Sequence, residues 1–483
     1  MKELGETIRA MYKPVRANNR SGCLTALTSF CETRNRMRLL LINPWIADIA
    51  AYDFWLKPVG LLILARRLKD SGHDLRWLDC LDRYNPDLQA FNSYRVRSKN
   101  DGTGKFFSHE IEKPDSIAWL PRRYKLYGLP YELVVSNLKR IKQEFDPEAV
   151  FITSAMTYWY PAIWKMIALV RNILPGSRIL LGGVYPVLLP IHALKSGADA
   201  VCTQTDPDSV RQFLGTQGIC LKEEEGSLLP DYEVYTHPMS HLVYLSSVGC
   251  PYRCSYCATP TIQKFFRQPC ESLAEQMRRD SDRLKCPNIA FFDDAILVDH
   301  EIHMDVLLEM LIKAGLPQKG VALHIPNGIH ARLLHRDTAR LLKLANVKTL
   351  KIGLETLDME LQKKTGAKVT TEDFIKSVRI LKDAGFTGNE VSAYIMVNLP
   401  GQKEEDLHES VRLCHELGIR VNINEYTPIP RTVEYQRLVS AGAFSEDIDP
   451  VLLNNSILPY WWKNGMSFDQ ITRIKKSNRK YLG

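Results

Sequence analysis

The strongest chemical signal in this chain is a short run of thiols: Ser247-Val248-Gly249-Cys250-Pro251-Tyr252-Arg253-Cys254-Ser255-Tyr256-Cys257-Ala258. Thiolates separated by three and then two residues in one loop can reach a common metal centre. The sequence has 11 cysteines in 483 residues, and composition alone gives this spacing in only about six of a thousand such chains. Three thiolates suit a four-iron cluster with one iron left open, or a zinc ion completed by a fourth ligand. The nearest histidines, His237 and His241, lie upstream across a predicted strand, which favours iron–sulfur over zinc. A buried trio without metal is the plain alternative. Cys23, Cys31, Cys80, Cys202, Cys220, Cys270, Cys286 and Cys414 share no ligand spacing and read as small buried or surface residues.

The thiol run follows the first strand of an alternating strand–helix series. Strands are predicted at Leu242–Ser246, Ile289–Phe292, Val321–Ile325, Thr349–Gly353, Val391–Val397 and Val421–Glu425. Helices fall between them, including Asp373–Ala384 and Glu404–Leu417, with Gly385 and Gly418 as stops. Six repeats over 237–432 predict an open, partial (β/α)6 barrel of TIM type, whose active site is built at the C-terminal strand ends. An earlier series over 37–205 predicts a Rossmann-like, doubly wound parallel sheet: strands Leu39–Asn43, Leu75–Asp79, Ala149–Thr153, Arg178–Leu181 and Ala200–Thr203, with a helix over Pro58–Ser71. A polar and aromatic insert at about 83–129 reads as a lid or docking segment. Residues 1–36 read as a flexible basic extension, with a short amphipathic helix as the alternative. Residues 206–236, acidic and turn-rich, read as a linker, and 433–483 as a helical region with helices at Val433–Ala441 and Phe468–Lys480.

Cys-x3-Cys-x2-Cys, the aromatic Tyr256 before the third cysteine and the partial barrel together resemble the radical S-adenosylmethionine enzymes, over about residues 240–430. Later segments resemble that family in order. Phe291-Phe292-Asp293-Asp294 stands where the family faces the amino group of S-adenosylmethionine, with acids but without the usual Gly-Gly-Glu. Ile352-Gly353-Leu354-Glu355-Thr356 is similar to the fourth-strand G-x-E-S element near ribose and carboxylate. Tyr394-Ile395-Met396-Val397-Asn398-Leu399-Pro400-Gly401 resembles the fifth-strand segment, departing at Asn398 and Gln402, and Glu425–Thr432 resembles the sixth-strand close with Arg431 for glycine. The resemblance implies that Cys250, Cys254 and Cys257 hold a [4Fe-4S] cluster whose open iron binds S-adenosylmethionine. It also implies that Asp293, Asp294, Glu355, Thr356, Asn398 and Tyr256 contact the cofactor. One electron, from a flavodoxin- or ferredoxin-type donor, would split S-adenosylmethionine to methionine and a 5′-deoxyadenosyl radical, and the barrel would hold a small-molecule substrate against it.

The first series resembles the cobalamin-binding domains of the cobalamin-dependent branch, through Asn43-Pro44-Trp45, Lys57-Pro58-Val59-Gly60 and Leu181-Gly182-Gly183. Gly182 and Gly183 would let the backbone approach a nucleotide tail. The Asp-x-His-x-x-Gly element that supplies an axial histidine is absent; Asp48-Ile49-Ala50-Ala51 stands instead. The aromatic run Thr157-Tyr158-Trp159-Tyr160 is a candidate surface beneath the corrin. Methyl transfer to an unactivated carbon is the implied reaction. The rivals are a rearrangement or cyclisation enzyme whose first domain no longer binds cobalamin, an RNA methylthiolation enzyme, and a non-catalytic electron carrier. His324 and His330, which flank the third barrel strand end, read as satisfied polar loop residues rather than bases.

Composition narrows the remaining classes. Hydrophobic residues at 45% and charged residues at 24% are globular values. The formal charge of +8 is concentrated at the ends, +4 in residues 1–36 and +5 in the last eleven, which leaves the body at −1. A near-neutral body is not the footprint of a nucleic-acid groove. The most apolar window, Ala149 to Val170, contains Lys165 and Pro161 and reads as a strand, a turn and a helix rather than a membrane span. Cysteines without a signal peptide predict a cytoplasmic protein with reduced thiols or metal ligands.

Overall fold

The computed structural model describes residues 36–91, 94–223 and 228–480. Apart from Arg36, the expected N-terminal extension lies outside the described residues, together with Cys23 and Cys31. Two parallel α/β sheets follow one another along the chain, as the sequence pattern predicts.

The first sheet contains β1 (Arg38–Asn43), β2 (Asp74–Asp79), β3 (Ala149–Ile152), β4 (Arg178–Leu181) and β5 (Ala200–Val201), in the order β5-β4-β3-β1-β2. Its central strands read Leu-Leu-Leu-Ile, Ala-Val-Phe-Ile and Ile-Leu-Leu because both faces are covered. Helix α1 (Val59–Asp70) returns the chain from β1 to β2, with Arg67 and Lys69 in its last turn. Helices α2 (Tyr131–Glu144) and α3 (Tyr160–Ile173) flank β3. The winding reverses between β1 and β3, and in open sheets of this kind ligands bind in the crevice at that point.

The second sheet holds β6 (Leu242–Tyr244), β7 (Asn288–Phe291), β8 (Ala322–Ile329), β9 (Val347–Glu355), β10 (Val391–Val397) and β11 (Arg420–Glu425), paired in parallel and in chain order. Among the described residues β6 and β11 do not pair, so the barrel is open, in agreement with the sequence. Helices α4 (Cys270–Leu284), α5 (Met304–Lys313), α6 (Arg336–Leu344), α7 (Thr371–Asp383) and α8 (Glu404–Glu416) cover its outer face. Helix α7 starts where Thr370 and Asp373 form a reciprocal capping box, which satisfies two donors of the first turn. Leu350, Ile352 and Leu354 of β9 join the core beneath the helices. Strand alternation then turns Thr349, Lys351, Gly353 and Glu355 to the lumen.

Three expectations change. The insert at 83–129 is not a free lid. Its strands Ser108–Glu110 and Lys125–Tyr127 form an antiparallel sheet with Ile46–Asp48, and Leu120, Tyr124, Leu126 and Leu129 are buried in the first core. The polar composition concealed these apolar anchors. The segment 206–236 is packed rather than extended: Tyr232 is fully buried and its hydroxyl donates to the Val243 carbonyl at 2.7 Å. Of the acidic run Glu223-Glu224-Glu225-Gly226, all but Glu223 lie outside the described residues. The third barrel strand runs on through Pro326 and Gly328 to Ile329, with register shifts, so His324 sits near its start rather than at its end.

The C-terminal region, with α9 (Val433–Ser440) and α10 (Phe468–Lys480), does more than follow the barrel. Val451 and Ile457 belong to the first core, and Asn454 Nδ2 donates to the buried Asp48 carboxylate at 2.9 Å. Replacing Asn454 with Ala removes a donor from a carboxylate whose pKa burial already raises. The variant is expected to lose about 1–3 kcal/mol, seen as a lower urea midpoint; an unchanged midpoint would show that Asn454 carries none of this docking.

Candidate functional site

The thiol loop lies at the C-terminal end of β6, as barrel geometry requires. A two-stranded hairpin, Ser247–Val248 against Phe266–Arg267, frames it. Its root is held by Asp293, at the end of β7. Asp293 Oδ1 accepts from Ser246 Oγ at 2.6 Å, Ser247 N at 2.5 Å and Ser247 Oγ at 2.7 Å, while Oδ2 accepts from Ser246 N at 3.0 Å. Asp293 is thus spent on positioning the loop rather than on facing a ligand. Burial raises its pKa to about 6 against the opposing pull of these four donors.

Beyond this root the loop is pinned at its middle. Ser255 N donates to the Thr365 carbonyl at 3.2 Å, and the Ser255 carbonyl accepts from Glu434 N at 2.9 Å. Gly366, at φ +124°, lets a second backbone pass: a Cβ there would stand 3.0 Å from Cys254 Cα. Cys250, Cys254 and Cys257 are free and half-buried. Burial raises the Cys250 thiol and pushes Cys254 up to about 11, with Lys368 pulling the other way. Metal loading would therefore release protons here. The three sulfur atoms do not gather within 4.8 Å of one another. A single zinc ion would draw them to about 3.8 Å, whereas a multi-iron cluster holds its thiolates farther apart. His237 is engaged with Asp82 at 2.8 Å and His241 lies 3.7 Å from Asp53, so neither completes a zinc site.

The other sequence-predicted residues divide into two groups. Asp294 accepts from Thr259 Oγ1 at 3.1 Å. Its accessible area faces the cavity between the two sheets, so it is open to a ligand yet crowded by protein, and its pKa is raised by that crowding. Glu355, at φ +64°, turns back over Gly353. A Cβ on Gly353 would meet the Glu355 carboxylate at 2.9 Å and the Lys368 ammonium at 3.6 Å. Burial raises Glu355 and Lys368 opposes it. Tyr256 lies beside Cys254 and Glu355 and packs against the C-terminal cluster around Leu399 and Tyr426. Thr356 and Asn398 are engaged elsewhere. Thr356 Oγ1 accepts from Asp358 N at 3.2 Å, and Asn398 Oδ1 accepts from Met466 N at 2.7 Å while its Nδ2 is buried without a partner.

Lys368 and His330 are the residues the sequence did not flag as part of this site. The His330 ring stacks on Tyr252 of the thiol loop at 4.7 Å. Its Nδ1 is buried without a partner, so it is not the satisfied loop residue the sequence suggests; burial and Lys368 push its pKa down to about 3. A lone Lys and a lone His, each brought in from a distant loop, carry no spacing that could mark them. His324, by contrast, is satisfied on both nitrogens, by Thr349 at 2.9 Å and Asn288 at 3.0 Å, and stacks on Trp55.

A cavity of about 490 Å³ lies where the two sheets face each other. The first sheet contributes Asn43, Trp45, Gly182 and Gly183, and the barrel side contributes Val248 and Asp294. It therefore occupies the crevice at the β1/β3 reversal. Gly183, at φ +96°, closes on Ser154 so tightly that a Cβ would lie 2.2 Å from the Ser154 carbonyl oxygen. Among the described residues that line it there is no histidine. Of the aromatic run at 157–160, Trp159 reaches the cavity, with its Nε1 bonded to Asp48 at 2.7 Å. Tyr160 instead donates to Asp449 and packs on Trp164 and His192.

Residues 244–414 match the Radical SAM superfamily, so the barrel half of the chain is a radical S-adenosylmethionine domain. It is 19% identical over 386 residues to an uncharacterized methyltransferase of Pyrococcus horikoshii, covering 72% of this chain and 79% of the relative. It is 23% identical over 419 residues to the hopanoid C-3 methylase of Methylococcus capsulatus, covering 82% and 71% respectively. In fold it resembles the radical S-adenosylmethionine methyltransferase TsrM from Kitasatospora setae, solved with cobalamin and a [4Fe-4S] cluster. The TM-score is 0.61 at 14% identity, over 84% of this chain and 78% of that one. Among the described residues no helix is long and apolar enough to cross a membrane.

The role found for Asp293 gives a pH signature. Its folded pKa is raised above the unfolded value, so its contribution to stability is complete below about pH 4 and is lost as pH rises through about 6. Asp293→Asn, which cannot titrate, is expected to be destabilised most at low pH. The gap to wild type should narrow by up to about 3 kcal/mol between pH 4 and pH 7 in urea unfolding. A gap independent of pH would show that Asp293 ionises as it does in the unfolded chain.

Proposed function

We propose that this chain is a cobalamin-dependent methyltransferase that transfers a methyl group from S-adenosylmethionine to an unactivated carbon of a small molecule. The observation that carries the reading is that the cavity at the first sheet's reversal point opens onto the barrel at Val248 and Asp294, beside the thiol loop. A ligand held by the first sheet would thus border the centre held by the second.

Cys250, Cys254 and Cys257 would hold the [4Fe-4S] cluster. The fit is chemical: three thiols of one loop, Cys250 and Cys254 raised by burial, stand with two raised carboxyls and one nearby cation, a setting that a polycationic centre would ionise. When bound and reduced by an external flavodoxin- or ferredoxin-type donor, the cluster would supply the electron that cleaves one S-adenosylmethionine to methionine and a 5′-deoxyadenosyl group, which would leave as 5′-deoxyadenosine with the substrate's hydrogen, while a second S-adenosylmethionine would supply the methyl group. Lys368 would pair with the carboxylate of S-adenosylmethionine and Asp294 or Glu355 with its amino group, while Tyr256 shields the centre from water. Thr356 and Asn398 would act by fixing the loop after β9 and the C-terminal segment. For cobalamin, Gly182 and Gly183 offer bare backbone to the nucleotide tail. The described lining offers no histidine to cobalamin, and Trp159, from the aromatic run at 157–160, would border it. The relatives named as methyltransferases support this chemistry, and a cytoplasmic location fits its oxygen-sensitive parts.

The test is anaerobic. Reconstituted protein with hydroxocobalamin, dithionite and S-adenosylmethionine is expected to retain about one corrinoid per chain by absorbance and to form 5′-deoxyadenosine. Cys257→Ala should lower 5′-deoxyadenosine to background, and a product equal to that variant's would leave only an electron-carrier role. Gly183→Val should abolish corrinoid retention while the cluster absorbance stays. Should the wild-type protein retain no corrinoid and still form 5′-deoxyadenosine, the rearrangement or cyclisation reading replaces methyl transfer.

A further inference from the structure

A second cluster of ligating groups stands apart from the thiols, on the outer rim of the barrel. The run Asp299-His300-Glu301-Ile302-His303-Met304-Asp305 leads into α5, and His335 immediately precedes α6. His300, Glu301 and His335 each bring one ligand atom within 4.8 Å of the others. The His300 and His335 rings meet edge to face, with centroids 4.8 Å apart.

Two features separate this group from a chance gathering of surface side chains. His300 is buried, and its Nδ1 is bonded to Asp305 Oδ2 at 2.8 Å and lies 3.0 Å from Thr338 Oγ1, which itself reaches Asp305 at 3.1 Å. A carboxylate on one ring nitrogen fixes the tautomer and leaves the Nε2 lone pair free, which is the arrangement behind metal-ligating histidines. The second feature is that Asp305 Oδ1 is buried with no hydrogen-bond partner, so the carboxylate behind His300 has acceptor capacity that the protein leaves unused. The remaining groups of the run are committed elsewhere: His303 Nε2 faces the Gln268 carbonyl at 3.1 Å, and Asp299 pairs with Arg267.

We propose that His300, Glu301 and His335 form a divalent transition-metal site, of zinc type, with Asp305 behind His300 and water in the open position. Two imidazoles and a carboxylate are the ligand set that such ions take at about 2.0–2.2 Å. The ion would bridge the chain entering α5 to the start of α6. It would thereby staple the loop after β7, which carries Asp294, to the loop after β8, which carries His330. This site is independent of the proposed methyl transfer.

The test uses the full-length chain with its iron–sulfur cluster assembled, so that Cys250, Cys254 and Cys257 are occupied. After incubation with zinc and removal of unbound metal, elemental analysis is expected to give about one zinc per chain, and X-ray absorption should show a nitrogen and oxygen shell without sulfur. His335→Ala, an exposed position with no capping hydrogen bond from its side chain, should fold normally by circular dichroism and lose that zinc. Asp305→Asn should weaken zinc binding 10–100-fold. Equal zinc content in wild type and His335→Ala, a sulfur shell, or no bound zinc in the wild type would each overturn the proposal.

Discussion

The catalytic face depends on one buried carboxylate. Asp293, just past the end of β7, gathers both the backbone and the hydroxyl groups of Ser246 and Ser247, the two residues that lead out of β6. Two neighbouring barrel strands are thereby tied at the point where the thiol loop departs. Charge-assisted bonds to backbone N–H groups are among the stronger ones available to a protein, and here they are spent on orientation. A loop left to its own entropy would not hold three thiols toward one centre. Gly366 does the complementary work from the other side, letting the chain after β9 press on Cys254 without a side chain between.

The electrostatics of the centre follow from that packing. Crowding raises Asp294, Glu355, Cys250 and Cys254 together, and Lys368 is the cation that opposes the shift for all four. Its placement over Gly353 lets it act on carboxylate and sulfur from a single position. His330, pushed down to about 3, stays neutral beside it, so the site gains no second positive charge at ordinary pH. The balance is that of a pocket built to receive positive charge.

Much of the architecture is legible in the sequence because parallel strands buried on both faces leave continuous apolar runs. The predicted strands Arg178–Leu181 and Val391–Val397 are the observed ones, and most others shift by one or two residues at an end. The reading of β8 failed at Pro326 and Gly328, which normally end a strand; here they sit among register shifts that the neighbouring strands absorb. The insert and the segment before the barrel were hidden by their composition, since a few buried residues such as Tyr124 and Tyr232 outweigh many polar ones around them. Within the site the thiols announce themselves by spacing alone. Lys368, His330 and Gly366 do not, because each acts on a thiol loop that is distant in sequence: His330 stacks on Tyr252, Gly366 passes Cys254, and Lys368 faces Cys250 and Cys254. Asn398 shows the reverse hazard: it stands in the right segment of the motif, yet its side chain secures Met466.

The chain solves a geometrical problem with two sheets of different kinds. An open doubly wound sheet offers its ligand crevice at the C-terminal edge where the winding reverses, and a barrel offers its site at the C-terminal mouth. Either alone would face solvent. The C-terminal region closes this arrangement: Asn454 reaches back to Asp48, Arg431 donates to the Val187 carbonyl at 2.6 Å, and Val451 and Ile457 enter the first core. Because the last segment of the chain packs on the first domain, the two crevices cannot swing apart without exposing buried apolar surface. Holding them mouth to mouth turns two half-open crevices into one cavity bordered by both, and that enclosure is what chemistry with a reactive radical requires.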